Sequence, residues 1–189
     1  MGSLVVAIVI WSLIHFIPAT AVDFRAGLVR RLGPMAYKGI FALVAIGALL
    51  LLIHGWKSAT IQPVFTPPSW GPYAAIGLSL LASFCFFAPY VRNNLRRVVR
   101  HPQLAGVLLW AIGHLLANGE ARSVVLFGGF AVWAWLEMNL INRRDGAWTR
   151  PAPAPFSADL RLAIAGIGFY ALIMYSHVWL FGVDPVAYL

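Results

Sequence analysis

Five histidines, His15, His54, His101, His114 and His177, are this chain's imidazoles, side chains that ligate metals and exchange a proton near neutral pH. Cys85 is the single cysteine, so the chain forms no internal disulfide and no cysteine-based metal cluster. His15 in Trp11-Ser-Leu-Ile-His15-Phe-Ile-Pro18 and His114 in Trp110-Ala-Ile-Gly-His114 stand inside apolar runs. Ionisable groups retained in such surroundings usually face the interior of a bundle and do something there. Neutral imidazole is a good iron ligand, and histidines on facing helices hold haem in helical bundles. The alternative is that each ring only hydrogen-bonds a backbone carbonyl or a nearby serine, and the residues alone leave both open.

Other residues add to these two. Gly106 and Gly113 lie seven apart, with Ala117 four later, a small-residue stripe that admits a second helix backbone or a flat macrocycle. Trp110 falls on the same helix face as His114 one turn earlier. Glu137 is the one acid well inside an apolar run and calls for a cationic partner, with Arg96, Arg97 or Arg100 the candidates. A structural pair is favoured there over a catalytic acid. His54 and His177 fall towards the far ends of their runs, where water can satisfy them, and His101 sits at a boundary.

The elements that position these groups follow from composition. Of 189 residues, 61% are hydrophobic and 11% charged, against about a quarter charged in soluble domains. The expected fold is all-α, an integral membrane bundle of six helices over Leu4 to Val22, Tyr37 to Trp56, Tyr73 to Val91, Leu104 to Ala117, Val124 to Ile141 and Leu162 to Phe181. The fourth is short for a full crossing. The first has no preceding Lys or Arg and is expected to stay as a helix, not to be cleaved as a signal. The net charge of +8 lies between apolar runs, not on a stripe with stacking aromatics, which argues against nucleic acid.

Twelve of the fourteen basic residues flank the first, third and fifth connections. Basic loops stay cytoplasmic, so residues 23 to 36, 92 to 101 and 142 to 161 are expected inside and both termini outside. On about 1.5 Å rise per residue, His15 is then roughly 10 Å and His114 roughly 15 to 20 Å from the inner boundary. Two proline-rich stretches, Ile61 to Pro72 and Arg150 to Pro155, favour extended chain. A single domain over 1–189 is expected, with core helices over 4–141 and the helix at 162–181 added after the second stretch. There is no internal repeat or Gly-rich phosphate loop, and the marks of a transporter are missing.

Arg100-His-Pro-Gln-Leu-Ala-Gly106, then Trp110 and Gly113-His114, resembles the NnrU family, related to the 15-cis-zeta-carotene isomerases of plants and cyanobacteria. The likeness extends to the histidine before Pro18, to Arg143-Arg144-Asp145, and to His177 with Gly182 and Pro185. It implies an integral protein of a bacterial inner membrane, with haem b held by His15 and His114 and with Trp110, Gly106 and Gly113 beside it. It also implies action on a hydrophobic polyene, or on a diatomic gas in denitrification, either as an isomerase-like enzyme or as a non-catalytic accessory.

The Arg-His-Pro element is similar to that of the isoprenylcysteine and phospholipid methyltransferases, which implies an S-adenosylmethionine site at Arg100, His101 and Gly106. The acidic pair and tyrosine-rich segment of those enzymes are not found after the next helix, where Asn142 to Pro151 stands instead.

Overall fold

Hydrocarbon offers no hydrogen bonds, so an apolar run that crosses it must close its own backbone bonds as a helix. In the computed structural model, which describes residues 1–187, the chain forms seven α-helices and, among the described residues, no strand beyond one isolated bridge. They are α1 (Gly2–Thr20), α2 (Val22–Leu32), α3 (Pro34–Ser58), α4 (Gly71–Phe87), α5 (Pro102–Ala117), α6 (Ala121–Asp145) and α7 (Phe156–Phe181).

All six expected runs are helical. Pro34, Pro72 and Pro102 sit in the first turns of α3, α4 and α5, where the missing N–H has no intrahelical partner to lose. The segment 23 to 36, expected as a loop, is largely α2 and is a correction. Its apolar and charged residues alternate at a helical period, which a search for uniformly apolar runs passes over. Gly33, at φ 82°, ends α2 in a region of backbone space open chiefly to glycine.

Five of the helices, α1, α3, α4 with the turn after it, α6 and α7, are long and apolar enough to cross a membrane. The protein is an integral membrane protein. With 16 residues, α5 rises about 24 Å, short of the roughly 30 Å hydrocarbon core. Large apolar side chains such as Leu43, Leu50, Ile164 and Leu172 are 60–70% exposed, as lipid-facing residues of such a bundle are.

The chain forms two compact units. The first comprises Met1–Val64 and Glu120–Gly146, and in it α1 packs on both α3 and α6. Its core is Leu4, Ala7 and Leu52, with Ile8, Leu51, Val125, Leu126 and Phe130 against them. The second comprises Phe65–Gly119 and the chain from Ala147 onward, and in it α4 packs on both α5 and α7.

Glycines set how close these helices come. A Cβ on Gly55 of α3 would lie 2.6 Å from the Leu4 backbone nitrogen, closer than side chains approach. In the second unit a Cβ on Gly71 would strike the Leu116 carbonyl, and one on Gly166 the Phe84 ring.

Both proline-rich stretches are tied down. The Gln62 carbonyl accepts from the Ala121 N–H at 2.8 Å, and the Phe65 N–H donates to the Gly119 carbonyl at 3.2 Å. In the second unit Arg92, Asn94 and Arg97 donate to the carbonyls of Pro153, Ala154 and Pro151 at 3.0, 2.9 and 3.2 Å. Asn94 also gives its backbone and side-chain N–H groups to the Asp159 carboxylate at 2.7 and 2.6 Å, which fastens the start of α7.

Gly55→Ala is expected to destabilise the detergent-solubilised protein by about 1–3 kcal/mol, because backbone on both sides must move. Gly47→Ala, where a Cβ meets nothing within 4 Å, is expected to be neutral or to stabilise by up to about 1 kcal/mol. Thermal unfolding followed by circular dichroism measures both, and equal midpoints for the two variants would show that the α1–α3 approach is not set by glycine.

Candidate functional site

Within α1, Trp11 precedes His15 by one turn. The His15 Nδ1 lies 2.7 Å from the Trp11 carbonyl. A carbonyl only accepts, so Nδ1 carries the proton and Nε2 is the lone-pair nitrogen. The Trp11 indole stacks on the imidazole with centroids 4.3 Å apart and planes 26° apart. Phe41 of α3 and Trp133 of α6 meet the same ring edge-on, each at 5.2 Å, and Trp11 and Phe130 both abut Trp133. His15 is thus held by aromatic rings from three helices of its unit.

The second unit repeats the local arrangement. His114 of α5 gives its Nδ1–H to the Trp110 carbonyl one turn earlier, at 2.8 Å, and the Trp110 indole lies 5.0 Å from the imidazole. The Asn118 side-chain amide donates to the His114 carbonyl at 2.8 Å. His177 of α7 lies within electrostatic range of His114; its own Nδ1–H donates to the Val183 carbonyl at 2.7 Å.

Glu137 lies on α6 one turn beyond Trp133, and both are buried. Four buried side-chain atoms have no hydrogen-bond partner among the described residues: Trp11 Nε1, Trp133 Nε1, Glu137 Oε2 and Ser123 Oγ. The two indoles meet the His15 ring, and Glu137 is one turn from the second of them. The charge within the unit that acts on Glu137 is Arg144, two turns further along α6. Arg144 is held by the Asp145 carboxylate at 2.6 Å and donates to the Pro18 carbonyl at 2.8 Å. Of the basic residues expected to partner Glu137, Arg97 donates its Nε–H to the Pro151 carbonyl; Arg96, Arg97 and Arg100 belong to the other unit.

Other expected site residues have different roles. A Cβ on Gly106 would lie 3.0 Å from the Ala82 carbonyl and 3.1 Å from the Cys85 Cβ, and one on Gly113 would lie 3.2 Å from Ala75 and Leu78. The stripe on α5 therefore lies against α4, the close helix approach that its small residues allow. His101 is the N-cap residue of α5, and its carbonyl accepts the first helical bond, from the Ala105 N–H at 2.9 Å. Arg100 and His101 stand thirteen or more residues from His114, about 20 Å along α5. His54 is on an exposed part of α3.

The ring cage of His15 escaped the sequence reading, although one signal for it was visible: Trp11 and His15 repeat the spacing of Trp110 and His114. The contributions of Phe41 and Trp133 depend on how α3 and α6 pack on α1, which spacing within one helix does not reveal. Among the described residues no group of three or more His, Cys, Asp or Glu side chains could hold a bare metal ion. Haem, whose macrocycle supplies four of the iron's ligands, asks only for one or two imidazoles.

No curated protein and no solved structure matches the chain. The family model described as NnrU protein matches residues 3–185. With the match running over nearly all of both units, the chain belongs to the NnrU family.

Proposed function

We propose that this is a haem b-binding membrane protein in which His15 and His114 supply imidazole ligands, acting on a hydrophobic polyene or on nitric oxide. One observation carries the reading, the twice-built Trp-x-x-x-His unit with Nδ1–H fixed on the carbonyl one turn back. Metal-bound histidines almost always give their second N–H to a carbonyl or carboxylate, which fixes the tautomer, orients the ring and strengthens the Nε2 lone pair. A histidine that merely satisfies itself in lipid reaches the same bond, so the test below is chosen to separate the two.

Haem b, when bound, supplies an iron that takes up a diatomic gas or exchanges an electron with a substrate. The chain's own residues do the rest. His15 and His114 position the group, and Trp11, Phe41 and Trp133 keep water from the His15 imidazole. Glu137 offers a buried carboxylate oxygen for holding a proton one turn from Trp133. The extensive exposed apolar surface lets a membrane-dissolved substrate approach through lipid. The methyltransferase alternative lacks such support, because the close approach at Gly106 is taken up by α4.

Detergent-purified protein reconstituted with haem is expected to show a Soret band. His114→Ala is expected to abolish stoichiometric haem, His15→Ala to weaken it or leave it five-coordinate, and His54→Ala and His101→Ala to leave the spectrum unchanged. No Soret band after supplementation would end the cofactor reading. A shift of the band with nitric oxide, set against turnover of added zeta-carotene, separates the two substrates; neither response in a haem-loaded protein would favour a non-catalytic accessory.

Glu137→Gln is expected to keep the unfolding midpoint and haem stoichiometry while slowing whichever reaction is found. A structural ion pair would behave otherwise, since removing one buried partner costs about 3 kcal/mol, roughly 6–12 °C for a chain of this size. A drop of that order in Glu137→Gln would make the carboxylate structural.

On this reading the basic connections lie on the cytoplasmic side of a bacterial inner membrane, with both termini outside. A cytoplasm-active reporter inserted between Arg96 and Arg97 is expected to be active, and one fused after Leu189 silent. A strong signal from the second would mean that α5 does not cross.

A further inference from the structure

The helix α2 joins the end of α1 to the start of α3, and because those two span the membrane, α2 lies at its surface. At about 100° per residue, Val22, Phe24, Ala26, Leu28, Val29 and Leu32 form one arc, and Asp23, Arg30 and Arg31 the other. None of the eleven residues is buried, and Phe24 is 59% exposed. Arg25 breaks the pattern. It falls inside the apolar arc, and its guanidinium lies over the Tyr37 ring, 5.6 Å from the centroid.

Beside it is a cavity of about 200 Å³ lined by Pro18, Arg25, Tyr37, Lys38 and Phe41. A second hollow on α2 is lined by Phe24, Gly27, Leu28, Arg30 and Arg31. Among the described residues Arg25, Arg30, Arg31 and Lys38 enter no salt bridge, and Asp23 is the lone acid of α2. Two unpaired cations thus converge on a hollow with aromatic and proline walls, at the level where a span meets the headgroups.

We propose that the Arg25–Lys38 cavity is a specific site for an anionic phospholipid, whose phosphate sits between the two cations while its acyl chains run along the exposed apolar side of α3. Charge complementarity selects the occupant, since a zwitterionic headgroup brings its own cation to a site that already holds two. Basic pockets between membrane helices take anionic headgroups in this way. Phe41 is shared, because it walls the cavity and also meets the His15 imidazole, so an occupied cavity steadies the ring cage from the membrane surface.

The test uses the full chain in nanodiscs or detergent, with phosphatidylglycerol and phosphatidylcholine as probes and native mass spectrometry as readout. Wild type is expected to retain phosphatidylglycerol over phosphatidylcholine, and Arg25→Gln and Lys38→Gln each to lower that preference about fivefold, the effect of one surface charge. Lys57→Gln, which removes a cation from the other end of α3, is expected to leave it unchanged. Equal losses in all three variants would mean only net charge is sensed, and no preference in wild type would mean no site; either overturns the proposal. Displacement of the lipid by millimolar inorganic phosphate would assign the site to free phosphate instead, which also overturns it. Circular dichroism of each variant guards against misfolding, and the lipid readout stands whether or not the protein binds haem.

Discussion

Lipid cannot hydrogen-bond, and most of this protein's architecture can be read as the search for internal partners that this imposes. Ser12, Thr20 and Ser176 turn their hydroxyls back on carbonyls four residues earlier. The imidazoles of His15 and His114 do the same through Nδ1. At the boundary, Asn94 joins Asp159 and the Ala154 backbone at once, so a proline-rich stretch that could have stayed extended in water becomes a clasp. Arg122, one of the two basic residues away from the charged connections, is paired with Glu120 and laid over Trp56 at 4.5 Å.

Because that constraint acts along the chain, much of the fold was legible from it. Apolar runs bounded by charge or proline gave six helices with errors of a few residues. What hydropathy could not deliver was α2, whose balance of charge and apolar residues suits neither core nor loop. It also could not deliver the partition into two units, each organised around a central helix, α1 or α4. Which helices pack together depends on glycine contacts such as Gly55 on Leu4 and Gly106 on Ala82, and a glycine does not name its partner.

The candidate site divides along the same line. Contacts within one helix, the two Trp–His pairs, follow from a spacing of four. Contacts between helices do not. The glycine stripe on α5 pointed to close helix packing ahead of a macrocycle, and α4 is the helix that packs there. Arg100 and His101 draw attention as a motif, and the His101 carbonyl accepts the first backbone bond of the helix that carries His114.

The exceptions to complete satisfaction are unevenly placed, and that unevenness bears on mechanism. A buried polar atom without a partner costs about 1–3 kcal/mol, so a fold that otherwise pairs its polar groups has reason to keep few. Among the described residues, Trp11 Nε1, Trp133 Nε1 and Glu137 Oε2 are three of the four such atoms; the two indoles meet the His15 ring, and Glu137 follows Trp133 by one turn of α6. Two are donors and one is an acceptor, hydrogen-bonding capacity that the helices themselves leave unspent. Under the proposed function the two imidazoles are therefore unequal. His114, on the helix clamped by α4, is the anchor, and His15 is the ligand whose ring neighbours keep unspent hydrogen-bonding capacity.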